Sequence, residues 1–502
     1  MAEALAEALP RLHGETADAP QRQLITELTE ALVRGELELP VGDASALHGW
    51  GLLQQADGPL VLHEDRLQWR RWHTQRQRVV DGVLQRAAPR HDLEGDEGDL
   101  LLGLDPLQQQ AARAVLHHGL VLLEGGPGTG KTSTVAAMVA LLLRHRPAAR
   151  VQLAAPTGKA AARLRSASGR RYPCTTLHRL LESHGSGFAR HRRRPLDLDL
   201  LVVDEVSMVD LALMEALLEA LPLPCRLVLV GDPAQLPPVA PGALLDALQA
   251  PPVRAALGPA RMALQRTWRN DGAIAAVANA LRQQLDAPLA DLTVLLADLP
   301  PNANVQWLRA APPQLPLALL SRLEEQRQRL AQLAAAAGAG AAEAVAALLR
   351  QRDRLLVLTP LRGGPWGVDA IHRQRLGPAL AAGPGGWPPG TPVLCVRNLP
   401  ELGLANGDLG VVVERQGPEG GPRLLFGDGE ADTVLWLHPA QLGGAAEPAL
   451  ALTVHKAQGS EADAVVVLLD PDRQSDPRLL YTALTRARRD ALLITPDSQA
   501  RP

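Results

Sequence analysis

Apolar and polar positions fall into distinct regimes along the chain. Up to residue 98 helical and strand periods mix. QRQLITELTEALVRG spaces its apolar side chains by three and four and predicts an amphipathic helix, whereas PLVLHEDRLQWRRW alternates around an acidic turn and predicts two short strands. HDLEGDEGDL, acidic and glycine-containing, reads as a linker. From Leu101 the pattern becomes short, continuously apolar runs each succeeded by a helical period: LVLLEG before KTSTVAAMVALLL, VQLAA before GKAAARL, then LLVV and RLVLVG. Runs that are apolar on both faces and alternate with helices predict a parallel sheet covered on both sides.

Residues 273–350 read as helical and Ala-rich, with AQLAAAAGAGAAEAVAALL as helix, Gly turn, helix. RLLVLTPLRGGPWGVDAIH resumes the strand-turn-helix style. The stretch from PGGWPPGTPVLCVRN to about residue 442 breaks it with Gly, Pro and short β patterns such as DLGVVVE and TVLWLH, and ALTVHKAQGSEADAVVVLL restores it. The fold expected is therefore α/β, with two parallel-sheet domains. The first spans 99–262, the second is split into 263–387 and 443–502 around a small β-barrel insert at 388–442, and a mixed accessory or docking domain covers 1–98.

Composition narrows the function classes. A net charge of −3 places any nucleic-acid path in a local groove rather than over a basic exterior. Cys174, Cys225 and Cys395 are far apart and form no CxxC pair, which argues against a zinc site, an iron–sulfur site or a disulfide framework and fits a reducing cytoplasm. The acidic start MAEALAEALPRLHGE and the lack of any run near the roughly 18 apolar residues of a membrane span predict an untargeted protein without a membrane partner. Lysine occurs only at 131, 159 and 456, against 48 arginines. A compact ammonium cannot be exchanged for a planar guanidinium where it must fit among phosphates, so all three lysines become candidates for chemistry.

The strongest chemical signal is GGPGTGKT. An apolar strand runs into Gly125, Gly126, Pro127, Gly128, Thr129 and Gly130, and then into a helix beginning near Lys131. Such a loop wraps a phosphate chain with backbone N–H groups, the helix dipole favours the same anion, Lys131 reaches the β- and γ-phosphates, and the Thr132 hydroxyl meets Mg²⁺. Upstream, Gln108 either reads an adenine edge through its amide or lies on a solvated helix face. In LLVVDEVSM a buried strand delivers Asp204, suited to Mg²⁺, and Glu205, suited to act as general base toward the attacking water. Gln235, in VGDPAQLPPV, is placed to sense the γ-phosphate. Arg269, beside Trp268, and Arg486, in YTALTRARR, are candidates to stabilise transition-state charge from a facing domain.

Candidate strand-binding residues form polar turns. Thr157, Gly158 and Lys159 stand at a helix start able to hold a nucleic-acid phosphate, TLHRLL adds His178, and His455, Lys456, Gln458 and Gly459 share a turn before another buried strand. HRRRP (191–195) is a solvated loop or a basic hairpin, with the loop favoured. With only 12 aromatic residues, stacking platforms are scarce and backbone contacts dominate; Trp366 and Trp387 are the candidate stackers.

Taken in order, GGPGTGKT, APTGKAA, VVDEVSM, VGDPAQLPPV, the Arg269 segment, TVHKAQGSE and YTALTRARR resemble the motif series of superfamily 1 DNA helicases. PLVLHEDRLQWRRW, TPLRGGPWGVDAIH and GTPVLCVRNLPELGLANGDLGVV are further similar to the RecD family, the alpha subunits of exodeoxyribonuclease V. The resemblance implies two RecA-like domains around an ATP cleft, an SH3-like insert and 5′ to 3′ movement on single-stranded DNA. It also implies RecB-like and RecC-like partners in a bacterial cytoplasm, with the nuclease in the RecB-like subunit. A free-standing helicase and a non-translocating ATP-binding structural subunit are the alternatives.

Overall fold

The computed structural model describes the chain except residues 48, 56, 92, 94–97, 186, 267–271, 286–295, 297–298, 301–302, 418–419, 428–433, 470–475 and 498–502. Helices Ala2–Leu12 and Ala19–Val33 open the chain. The second starts at a capping box, in which Asp18 accepts from the Gln21 N–H at 2.8 Å and Gln21 Oε1 accepts from the Asp18 N–H at 3.1 Å. Strands β1 (Glu38–Pro40), β2 (Leu60–His63) and β3 (Arg66–Trp69) make an antiparallel sheet in the order β1-β3-β2. Glu64 and Asp65 join β2 to β3 with φ of 50° and 56°, the left-handed pair that a two-residue hairpin needs to match strand twist. Helix Arg70–Ala87 then buries Val79 and Val83 in the core of the next domain. Half of the linker read at 91–100 lies outside the described residues, and Gly98–Leu101 forms a short 3-10 turn.

The first large sheet holds β4 (Leu120–Gly125), β5 (Val151–Ala155), β6 (Cys174–Thr176), β9 (Leu200–Val203), β10 (Arg226–Gly231) and β11 (Arg261–Leu264). Its order is β11-β4-β10-β9-β5-β6, parallel throughout. A small hairpin of β7 (Ser183–His184) and β8 (Gly187–Phe188) projects between β6 and β9. Continuous apolar runs are explained by burial on two sides. Leu120, Leu122, Val203, Leu227 and Leu229 enter one core, and Val121, Leu123, Val202, Val228 and Val230 enter the other. Each fully buried aliphatic side chain contributes about 1.5–3 kcal/mol, so both cores resist one-residue register slips. HRRRP closes as a tight exposed turn in which His191 and Arg194 exchange two backbone hydrogen bonds.

The second parallel sheet takes β12 (Val305–Ala310), β13 (Leu355–Thr359), β19 (Leu452–Thr453), β20 (Ala462–Leu468) and β21 (Ala487–Pro496) in the order β12-β21-β20-β13-β19. Between β13 and β19 the chain forms β14 (Pro392–Cys395), β15 (Leu409–Arg415), β16 (Gly421–Phe426), β17 (Leu435–Leu437) and β18 (Ala446–Pro448), an antiparallel sheet ordered β17-β16-β15-β14-β18. Helices Leu317–Gly338 and Ala342–Arg352 form a hairpin whose Leu330, Ala334, Leu348 and Leu349 pack on Val411, Val413 and Leu425 of the inserted sheet. Gly338 permits that approach, because a Cβ there would lie 2.0 Å from the Glu414 carbonyl oxygen.

Two expectations are corrected. The stretch expected to be uniformly helical contains β12, an edge strand whose partner β21 lies near the end of the chain; local periodicity carries no trace of that pairing. Trp366 and Trp387 are not stacking platforms. Both are buried, and their indole N–H groups donate to the Gln314 and Leu380 carbonyls at 3.2 and 3.4 Å. Among the described residues no helix is long and apolar enough to cross a membrane.

Candidate nucleotide cleft

Strand order brings the chemistry together. β4, β10 and β9 are neighbours in register, so the loops leaving their carboxyl ends open side by side, where α/β sheets bind ligands. The loop after β4 turns through left-handed Gly128 (φ 76°) and Gly130 (φ 82°) into helix Lys131–His145. Lys131 Nζ donates to the Gly125 and Gly126 carbonyls at 2.6 and 2.9 Å, and Thr129 Oγ1 donates to the Gly126 carbonyl at 2.8 Å. The loop is thus internally braced, with its lysine held over the space that it encloses.

Gln108 does not lie on a solvated helix face. It is buried; its Oε1 accepts from the Asp105 N–H at 3.1 Å in a capping box, and its Nε2 donates to the Thr129 carbonyl at 3.1 Å. Its amide therefore braces the loop from behind, close to Gly130, whose left-handed φ of 82° is what requires glycine there.

A cleft of about 230 Å³ is lined by Pro127, Gly128, Gly130, Lys131, Thr132, Arg163, Asp204, Glu205, Gln235, Glu461 and Arg486. Asp204 Oδ1 accepts from the Glu205 N–H at 2.9 Å. Burial, and then the neighbouring Glu205 carboxylate, push the Asp204 pKa up to about 6, while Lys131 and Arg163 pull against them. Glu205 sits in the left-handed region (φ 55°, ψ 42°), a costly conformation for a residue with a Cβ that turns its carboxylate into the cleft. Gln235 is buried and its Oε1 has no hydrogen-bond partner. An orphaned acceptor beside an ammonium and two carboxylates marks a ligand site.

Arg486 enters the same cleft from the second sheet. It is 2 % exposed, with Nε donating to the Thr482 carbonyl at 3.0 Å, Nη1 to the Ser460 carbonyl at 3.4 Å and Nη2 to Thr485 Oγ1 at 3.3 Å. The guanidinium plane is fixed before any ligand arrives. Arg269 lies outside the described residues. Other bonds cross between the two halves: Tyr481 Oη donates to Asp232 Oδ2 at 2.6 Å, the Leu236 N–H donates to Thr482 Oγ1 at 2.8 Å, and Gln458 Nε2 donates to the Leu236 carbonyl at 2.8 Å.

The residues read as strand-binding are partly gathered. Thr157 caps helix Gly158–Ala167, accepting from the Ala160 N–H at 3.2 Å, and Gly459 lies against it, since a Cβ there would be 3.6 Å from Thr157 Oγ1. Gly158 packs so closely on Ala405 of the insert that a Cβ would lie 2.4 Å from the Ala405 Cβ. Lys159 faces the same junction; burial lowers its pKa to about 8, with Asp353 and Asp408 opposing and Arg352 and Arg163 reinforcing. Lys456 pairs with Glu447 at 3.0 Å, and burial lowers the His455 pKa. Gln458 is committed to its buried interdomain bond, and His178 is exposed, 6.0 Å from the Phe188 ring. Glu461, Asp232 and Tyr481 lie inside the motifs TVHKAQGSE, VGDPAQLPPV and YTALTRARR, but the sequence assigns them no role, and Arg163 does not stand out there.

Two family models match the chain, AAA domain over residues 108–241 and UvrD-like helicase C-terminal domain over 448–494. Fold and cleft define a two-sheet P-loop protein of helicase type. The chain is 36% identical over 515 residues to the RecBCD enzyme subunit RecD of Mycolicibacterium smegmatis, covering 93% of this chain and 86% of that one. It is 35% identical to the ATP-dependent RecD2 DNA helicase of Deinococcus radiodurans over 77% of this chain and 48% of that protein. Among solved structures, Bacteroides Pif1 bound to ssDNA is similar over 78% of this chain and 92% of that one, with 17% identity and a TM-score of 0.44. The chain belongs to the RecD family.

Proposed function

We propose that this chain is an ATP-dependent DNA helicase, the RecD-type subunit of a RecBCD-like exodeoxyribonuclease V. It moves 5′ to 3′ on single-stranded DNA from duplex ends, in double-strand break repair and recombination. The supporting observation is the convergence of Lys131, Asp204, Glu205 and Gln235 from one sheet with Arg486 from the other around a single cleft. The family relationship adds the substrate: its members carry the names RecBCD enzyme subunit RecD and ATP-dependent RecD2 DNA helicase.

In this reading the loop 125–130 wraps the phosphate chain of ATP and Lys131 exchanges its two carbonyl partners for phosphate oxygens. Thr132 and Asp204 hold Mg²⁺, which supplies neutralisation of developing phosphate charge. The donor set fits that cation, because a hydroxyl and a carboxylate line the same cleft and Mg²⁺ takes hard oxygen ligands, one or two from protein and the rest from phosphate and water. Glu205 takes the proton of the attacking water, Gln235 reports the γ-phosphate by donating its amide N–H to it while its free Oε1 accepts from that water, and Arg486, with Arg269, stabilises transition-state charge. Loss of the γ-phosphate removes a group bonded from both sheets, so the halves separate and the bound strand is moved.

Thr157, Gly158, Lys159, His178, His455, Lys456 and Gly459 form the strand path, with Gln458 linking it to the cleft. The inserted sheet is an SH3-like barrel, and residues 1–98 dock RecB-like and RecC-like subunits in the cytoplasm. The subunit reading is favoured over a free-standing helicase because the match spans 86% of the M. smegmatis subunit but 48% of the D. radiodurans helicase. Co-expression with RecB-like and RecC-like chains tests it. A stable ternary complex whose ATP turnover rises with single-stranded DNA is expected; failure to assemble, with full unwinding by the chain alone, would favour the free-standing alternative.

A further inference from the structure

Arg163 lies one helical turn beyond Lys159 on helix Gly158–Ala167, so the two cations share a face. That face looks onto two spaces. One is the nucleotide cleft. The other is a cavity of about 760 Å³ between this helix, the helical hairpin and the inserted sheet, into which Lys159, Arg165, Arg350 and Asp408 open. Arg163 and Glu461 line both, and their ion pair is the wall between them. Glu461 is 5% exposed and also accepts from Arg488 Nε of β21 at 3.1 Å. A first-sheet guanidinium is therefore tied through one buried carboxylate to a second-sheet guanidinium.

We propose that Arg163 is a positioning residue through which nucleotide in the cleft and a nucleic-acid strand at the Lys159 cavity sense each other, by exchanging Glu461 for the terminal phosphate. The inference rests on the ATP-cleft reading. The carboxylate of this pair is buried while Arg163 is 42% exposed at the border of an anion site, so a phosphate oxygen can replace the carboxylate without leaving the guanidinium unpaired. When nucleotide draws Arg163 away, Glu461 remains with Arg488. Helix Gly158–Ala167 then loses its ion-pair tie to the second sheet while keeping its contacts with Ala405 and Gly459, and Lys159 shifts relative to Asp353 and Asp408. The converse holds by linkage: a strand phosphate on Lys159 alters the hold of Glu461 on Arg163 and so changes nucleotide affinity by the same factor.

The experiment measures the affinity of the full chain for adenylyl imidodiphosphate with and without saturating oligothymidylate, and for oligothymidylate with and without nucleotide. The parent should show equal coupling factors in both directions, within the about 5–150-fold range usual for linked sites. In Arg163→Ala and in Glu461→Gln both factors should fall severalfold and equally in the two directions, while each ligand still binds alone. Arg163→Lys should keep only part of the coupling, because the fork is lost. A parent-like factor in both variants, or a parent factor of one, overturns the proposal. A parent that binds no nucleotide at all overturns the cleft reading instead, and Lys131→Ala is the control that separates the two.

Discussion

Tyr481 donates a 2.6 Å hydrogen bond to Asp232 Oδ2, joining the helix just before Arg486 to the end of β10 just before Gln235. Both residues are buried, and the Asp232 Oδ1 atom is already engaged by the Ala234 N–H at 3.1 Å. The bond thus ties the phosphate-sensing loop of one sheet to the arginine-bearing helix of the other. Tyr481→Phe leaves a buried carboxylate oxygen without its donor, at a cost of about 1–3 kcal/mol. The denaturant midpoint should fall accordingly; an unchanged midpoint would mean that the contact is not part of the folded ground state.

Glu205 occupies its left-handed conformation at the mouth of the cleft, where only its carboxylate chemistry repays the backbone cost. Glu205→Gln should bind ATP with near-parental affinity and hydrolyse it about 10²–10⁴-fold more slowly, the range that general-base catalysis supplies. Single-turnover hydrolysis distinguishes this from a structural role, in which the rate would change less than severalfold.

Lys159 gives a pH dependence with a definite sign. Burial lowers its pKa to about 8 from the ordinary lysine value of 10.5, so the folded chain binds this proton more weakly than the unfolded chain and its contribution to stability rises with pH between about 8 and 10.5. A strand phosphate restores the charged form. Affinity for oligothymidylate should therefore decline as pH rises above about 8, and Lys159→Ala should abolish that dependence and flatten the salt slope by about one counterion. A parent titration without a break near pH 8 would remove Lys159 from the strand path.

Much of this site could be read from sequence because it is local. GGPGTGKT, LLVVDE and LVLVGDPAQ each put an apolar strand and its polar end in one short window, and strand order only had to set them side by side. What escaped was long-range. Arg163 is one of 48 arginines, and nothing near it points to Glu461, which comes from the other domain. Gln108 can be read as a solvated side chain because sequence cannot show that its amide reaches the Thr129 carbonyl. Trp366 and Trp387 look available for stacking in a chain poor in aromatics, yet packing buries both. β12 is hidden in an Ala-rich stretch because β21, its strand partner among the described residues, lies near the end of the chain.

Arg486 is held by three hydrogen bonds that fix its guanidinium plane toward the cleft. Lysine offers one point charge and cannot reproduce that fork. Arg486→Lys should slow ATP turnover by a factor approaching the about 10³-fold lower end for arginine fingers, with a smaller loss of nucleotide affinity. Steady-state turnover together with equilibrium nucleotide binding checks the split; near-parental turnover would place the transition-state charge elsewhere.

ATP used at this cleft drives movement along DNA in one direction, and the decisive assay is strand separation of duplexes carrying either a 5′ or a 3′ single-stranded tail, run with the parent and with Lys131→Ala. The parent should open the 5′-tailed duplex only with ATP, and Lys131→Ala, still folded, should open neither. Opening of the 3′-tailed duplex alone, or unwinding retained by Lys131→Ala, would be incompatible with that mechanism.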